Sequence, residues 1–184
     1  MSSEELEKLE KLERERTPRP MKCALITASD TRTRADDTSG DLMETLLSQA
    51  GHSILSRSIV REDMSSMSST LLELLSDSEI EVILISGGTG VTRRDITPDV
   101  VQQHSTKEII GFGELFRWLS YAQIGSSTIQ SRACAHLCGE KLVFALPGSP
   151  RAVMLAMEEI LIPQLDIRHK PCNFAQLLPR IRGE

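Results

Sequence analysis

Aromatic residues are scarce: one Trp, one Tyr and four Phe make up 3% of 184 residues. The core therefore has to be built mainly from aliphatic side chains. Positive charge is not in excess either. A net charge of −5 argues against a nucleic-acid binder, whose affinity rests on neutralising many phosphates. Any phosphate site has to be local, made of backbone N–H groups and a few arginines. No apolar run reaches the ~18 residues of a membrane span, and charge from Glu4 onward does not read as a signal peptide. Cysteines are few (Cys23, Cys134, Cys138 and Cys172), and Cys23 sits in an apolar run as a buried thiol. Together these absences predict a reduced, cytoplasmic protein with no nucleic-acid or membrane partner. Familiar motifs are also missing. No Lys-Ser/Thr follows the glycine-rich stretch, and no G-x-G-x-x-G occurs, so neither a Walker A loop nor a nicotinamide site is predicted. Without G-x-S-x-G, and with His52, His104 and His169 far from any nucleophile, a Ser-His-Asp hydrolase has no support.

What is present suits one domain with a sizeable core: 40% hydrophobic and 26% charged residues. Residues 1–20 differ from the rest. Ser2-x-x-Glu5 can form a capping box, and Glu4–Lys8, Glu7–Lys11 and Glu10–Arg14 are favourable i,i+4 pairs. With only Leu6, Leu9 and Leu12 as an apolar stripe, this reads as a marginal helix that frays or docks on a neighbouring subunit. Residues 17–20 form a proline linker, and residues 21–184 form a single α/β domain.

Within that domain, 22–28 reads as a buried strand followed by a polar loop, 29–40. Leu42, Met43, Leu46, Leu47 and Ala50 mark a helix stopped by Gly51. Residues 53–60 form a second strand; Met67, Leu71, Leu74 and Leu75 mark a helix; 82–85 is a third strand. This order predicts a parallel sheet with right-handed crossovers and helices on both faces. Ligands in such folds bind beyond the carboxyl ends of the strands. Later come a short helix to His104, a helix opened by residues 111–114, a small, polar and partly helical stretch at 126–138, a strand at 141–146, and a helix burying Val153, Met154, Met157, Ile160 and Leu161. Pro163 sits just beyond that helix, and the tail from 168 to 184 reads as largely irregular.

Function concentrates in residues 82–99. A β-branched strand breaks into Ser86-Gly87-Gly88-Thr89-Gly90, whose glycines allow positive φ and close approach of a ligand. Arg93, Arg94 and Asp95 follow, then Thr97 as N-cap with Pro98 at the first helical position. Pro147-Gly148-Ser149-Pro150 is a second strand-to-helix turn of the same kind, so the two predict a site for a phosphorylated ligand. Asp63 and Asp95 are either turn and cap residues or a pair holding Mg²⁺, which takes one or two carboxylates with phosphate oxygens and water. Asp30 either joins them or binds a polar part of the substrate. One of Arg93 and Arg94 could neutralise a leaving pyrophosphate. Cys134-Ala135-His136-Leu137-Cys138 lacks a second ligand pair, and on a helix His136 would point away from the cysteines, so buried thiols are favoured over zinc.

Four segments in one order (residues 86–90, 94–98, 111–114 and 146–150) resemble the MogA/MoaB family of molybdenum cofactor biosynthesis, within the superfamily of the gephyrin N-terminal domain. Residues 114–117, 124–128, 163–166, Arg168 and 171–174 resemble its MoaB branch. The resemblance covers about 21–174. It implies a three-layer αβα fold, a trimer or hexamer, and molybdopterin binding. It further implies transfer of AMP from Mg-ATP to molybdopterin with release of pyrophosphate, the product passing to a molybdenum-insertion enzyme. The alternative within the family is a non-catalytic molybdopterin-binding protein; this chain keeps the acidic segment 94–98. By position, Asp63 and Asp95 match the catalytic, metal-holding acids. Ser29, Asp30, the loop 86–90, Glu114, Ser131, Arg132 and Pro147, Gly148, Ser149 and Pro150 match substrate-binding positions.

Overall fold

The computed structural model describes residues 18–183; the charged helix expected before residue 18 lies outside them. Strands β1 (Lys22–Ala28), β2 (Ser53–Val60), β3 (Val82–Ser86), β4 (Lys107–Glu108), β5 (Cys134–Cys138) and β6 (Lys141–Leu146) form one sheet in the order β2-β1-β3-β6-β5-β4. The first four in that order run parallel. β5 and β4 join antiparallel at one edge.

Burial on both sides follows the two-residue period of a strand. Cys23 and Leu25 of β1, with Val82 and Leu84 of β3, face one layer; Ala24, Ile26, Ile83 and Ile85 face the other. The first layer holds α1 (Thr38–Gln49), α4 (Ile110–Ile124), the long helix α5 that begins at Pro150–Ala156, and α6 (Phe174–Ile181). The second holds α2 (Met64–Ser76) and α3 (Thr97–Gln103). All four phenylalanines gather in the first layer: Phe144 lies 5.3 Å edge-on to Phe112 and 5.8 Å from Phe174, and Phe116 stacks 6.3 Å from Phe112. The result is a three-layer αβα sandwich. Among the described residues no helix is long and apolar enough to cross a membrane.

Several local expectations change. Residues 134–138 are a strand rather than part of a helix, so Cys134, His136 and Cys138 share one face. Even so, among the described residues no group of three His, Cys, Asp or Glu side chains is placed to hold a metal ion. Burial pushes the Cys134 thiol up to about 12, helped by Glu108, and the Cys138 thiol up to about 11; both stay protonated at neutral pH. Pro163 does not lie beyond α5, which runs through a π-helical stretch, Met157–Leu161, into Ile162–Leu165. Met154 is 36% exposed rather than buried. The tail is not irregular throughout: Asn173 caps α6 by accepting from Gln176 N at 2.8 Å, and Ala175 and Leu178 bury its inner face.

β1 crosses to β2 on one flank, while β3 lies on the other. The carboxyl ends of β1 and β3 therefore form the switch point at which open α/β sheets bind ligands.

Candidate active site

A cleft of ≈ 420 Å³ opens at that edge. Its centre is the glycine loop after β3. Gly87 has φ +102°, and a Cβ there would lie 2.4 Å from the Ala28 carbonyl oxygen. Gly88 has φ +64°, and its Cβ would meet the Thr97 hydroxyl at 2.6 Å. No side chain fits at either position, so the backbone itself faces the cleft. The loop is pinned on three sides. Gly87 N donates to Leu146 O at 2.9 Å and Thr97 N to Gly88 O at 3.0 Å. Thr97 Oγ1 donates to Gly87 O at 2.8 Å. Thr97 is thus not the N-cap of α3, as the Thr-Pro pair suggested; Ile96 holds that place, and the buried threonine hydroxyl is spent on the loop.

The second turn meets the first. A Cβ on Gly148 would lie 3.3 Å from Gly87 Cα, and Ser39 Oγ donates to Gly148 O at 2.8 Å. Ser149 caps α5 by accepting from Ala152 N at 3.2 Å. Thr38 and Ser39, in the first turn of α1, also line the cleft. Two helix N-termini thus direct partial positive charge at one space, which suits an anion. Beneath lies Asp37, 1% exposed, the N-cap of α1. It accepts from Gly40 N at 3.0 Å, Thr27 Oγ1 at 2.9 Å and Arg57 Nη2 at 2.7 Å. Burial raises its pKa, but those bonds outweigh burial and hold the carboxyl below its ordinary range.

Of the positions expected from the sequence, Ser29, Ser86, Gly87, Gly88, Thr89 and Gly90 line the cleft, with Asp95, Ser131, Pro147, Gly148 and Ser149. Pro150 lies just outside, in a neighbouring groove, and Glu114 sits exposed on α4. Asp30 braces the rim: it accepts from Glu62 N at 3.1 Å and pairs with Arg94. Arg132 also lies outside, tied to the back of the glycine loop.

Asp63 is not brought to Asp95. Its carboxylate caps α2 by accepting from Ser66 N at 2.8 Å, and it is exposed. Glu62 lines the cleft instead. Burial, and then the charge of Asp95, raise the Glu62 pKa above the usual carboxylate value. Burial also pushes Asp95 upward, but the Thr92 hydroxyl and N–H and the Gly90 N–H outweigh it, so Asp95 lies below its ordinary value. Both carboxylates thus line the cleft beside the glycine loop, Glu62 Oε1 next to Gly88 and Asp95 Oδ2 next to Gly90, a like-charge arrangement suited to a cation. The cap bond explains why Glu62 and not Asp63 lines the cleft. Asp63 opens a helix with a serine three residues on, so the capping role claims the aspartate and leaves its neighbour free.

A family profile described as a probable molybdopterin binding domain matches residues 24–167. The chain is 44% identical over 153 residues to molybdenum cofactor biosynthesis protein B of Bacillus cereus, covering 83% of this chain and 90% of that one. The protein of the same name from Escherichia coli K12 is 41% identical over 155 residues, with 84% and 91% covered. A crystal structure of molybdenum cofactor biosynthesis protein B superposes with a TM-score of 0.83 at 39% identity, covering 92% of this chain and 100% of that one. The tungsten cofactor synthesizing protein MoaB from Pyrococcus furiosus gives 0.68 at 36%, with 78% and 92% covered. Profile, relatives and architecture agree: the chain belongs to the molybdopterin-binding-domain family, among the B-type proteins of molybdenum cofactor biosynthesis.

Proposed function

We propose that the cleft adenylylates molybdopterin with Mg-ATP. The observation that carries this reading is the carboxylate pair, Glu62 with Asp95, both lining the cleft beside a glycine loop and two helix N-termini. A like-charge pair suits a hard divalent cation that takes one or two carboxylates and completes its shell with phosphate oxygens. Glu62 and Asp95 would hold Mg²⁺; when bound it neutralises charge on the triphosphate. In the transfer, an oxygen of the molybdopterin phosphate bonds to the α-phosphorus of ATP as the bond to the β-phosphate oxygen breaks, and pyrophosphate leaves. That oxygen is already deprotonated at neutral pH, so the protein needs positioning and charge more than a general base. The loop amides and the helix N-termini at Ser39 and Ser149 orient the phosphates. Arg94, at the rim beside Asp30, supplies further positive charge. The adenylylated pterin then serves a metal-insertion enzyme.

The same reading includes a homo-oligomer. The single tryptophan and the single tyrosine, Trp118 and Tyr121, are 72% and 62% exposed on α4, near Ile129 at 81%. An aromatic-rich apolar patch of this kind is the signature of an interface. Trp118→Glu dissociates the oligomer in sedimentation if this face forms it; an unchanged species moves the interface elsewhere.

The deciding experiment is incubation with molybdopterin, Mg²⁺ and ATP, with pyrophosphate release as the signal. Stoichiometric release supports the transfer. No release, together with no calorimetric heat for Mg-ATP, replaces it with the pterin-binding role alone.

A further inference from the structure

We infer that Arg132 is the positioning residue for the Asp95 carboxylate, closing residues 90–95 into a fixed turn from behind the cleft. The inference rests on the proposed role of Asp95 at the reacting phosphates.

The segment's other ties are polar and lie at the surface: Asp95 N donates to Thr92 O at 3.2 Å, Arg94 N donates to Thr92 Oγ1 at 3.3 Å, and Arg94 pairs with Asp30. Thr92, Arg93 and Arg94 are exposed, and Val91 is 67% exposed, so burial contributes almost nothing to its conformation. Arg132 grips both of its ends. Nε donates to Gly90 O at 2.7 Å, and Nη2 donates to Asp95 O. The outer nitrogens meet the Asp99 carboxylate in a two-pronged pair at 2.9 and 3.0 Å. Its own backbone N donates to Thr89 O at 2.8 Å. Inside the turn so closed, Asp95 Oδ2 accepts from Thr92 N at 2.9 Å and Thr92 Oγ1 at 2.6 Å. Closure is tight: a Cβ on Gly90 would fall 2.8 Å from Asp95 Oδ2.

Because Arg132 does not line the cleft, it acts through Asp95 and not on substrate. Its planar fork is required. A lysine ammonium is a point charge and cannot meet Gly90 O, Asp95 O and both oxygens of Asp99 in one plane. α3 takes part as well, since it carries Asp99, which orients the fork.

The test compares wild type with Arg132→Gln, Arg132→Lys and Asp99→Asn by amide hydrogen exchange and by binding of Mn²⁺-ATP, followed through the paramagnetism of the ion. In Arg132→Gln, exchange across 90–95 accelerates while β1, β3 and β6 keep their protection, and Mn²⁺-ATP affinity falls about tenfold or more. Arg132→Lys recovers part of both effects. Where turnover is measured, the loss falls on KM for Mg-ATP more than on kcat. Wild-type exchange across 90–95 in Arg132→Gln, or a uniform loss of protection through the core, overturns the inference. So does unchanged Mn²⁺-ATP affinity despite faster exchange. If Arg132→Gln does not fold, Asp99→Asn carries the test, with a smaller acceleration confined to the same segment. Wild type that fails to bind Mn²⁺-ATP sinks the adenylylation reading and leaves the clamp to be judged by exchange.

Discussion

The two ends of the sheet treat charge differently. At the amino end, Glu81 is 3% exposed yet accepts from Arg19 Nη2 at 2.5 Å, Lys22 N at 3.0 Å and Arg182 Nη1 at 3.4 Å. Close by, buried Lys141 gives its ammonium to Asp77 O at 2.6 Å and Ile80 O at 2.8 Å. At the carboxyl end, Glu62 has no ion pair among the described residues, and Asp95 raises its pKa after burial does. One end spends its charges on tying the chain together. The other also ties charges together, Asp37 to Arg57 and Asp30 to Arg94, but beside them keeps a like-charge pair, Glu62 and Asp95, in the cleft. Sites that break the usual rules of pairing in this way are where function is expected.

Breaking the amino end gives the largest effect. Glu81→Ala removes the buried acceptor of Lys22 N and of two part-exposed guanidiniums, Arg19 and Arg182, and should cost about 3 kcal/mol; urea unfolding measures it. At the other end the same kind of change acts on chemistry. Asp95→Asn should retain molybdopterin binding and lose AMP transfer by about a hundredfold or more, read by pyrophosphate release; unchanged turnover removes Asp95 from the mechanism. Thr97→Val strips the buried Gly87 carbonyl of its hydroxyl donor and should cost about 1–3 kcal/mol in thermal or urea unfolding.

The smallest effect sharpens the comparison most. A carboxyl whose folded pKa is raised subtracts stability once it ionises, and the penalty lifts as pH falls through that raised value. Glu62→Gln should therefore lose AMP transfer yet unfold at a slightly higher temperature than wild type at neutral pH, the gap closing on acidification. Asp37 has the opposite sign: its pKa is lowered, so its stabilisation is full above the unfolded value and is lost as pH falls through the folded one. Asp63→Asn separates the neighbouring acids: it should leave transfer near wild type and affect only the cap of α2, while equal losses in Asp63→Asn and Glu62→Gln contradict the placement of the cleft.

Much of this was legible in the chain. β-branched runs bounded by polar loops located β1, β2, β3 and β6, and glycine and proline spacing located both turns of the cleft. The edge was harder. Residues 134–138 are short and mixed, and only pairing with β6 at Leu137↔Leu142 and its neighbours makes them a strand. The tail hid α6 because its one start signal, Asn173, precedes only eight helical residues.

Residue order by itself determined β1, β2, β3 and β6, the parallel order of the first three, and the two glycine-bearing turns, because those depend on side-chain period and local backbone freedom. Only the folded chain decided which acid lines the cleft and that Arg132 lies behind the glycine loop, outside the cleft. Adjacent carboxylates part ways at the β2–α2 junction, one claimed by the cap, one left free. The Arg132 side-chain contacts join residues 33 to 42 positions apart, and no local spacing rule encodes a hydrogen bond across that distance.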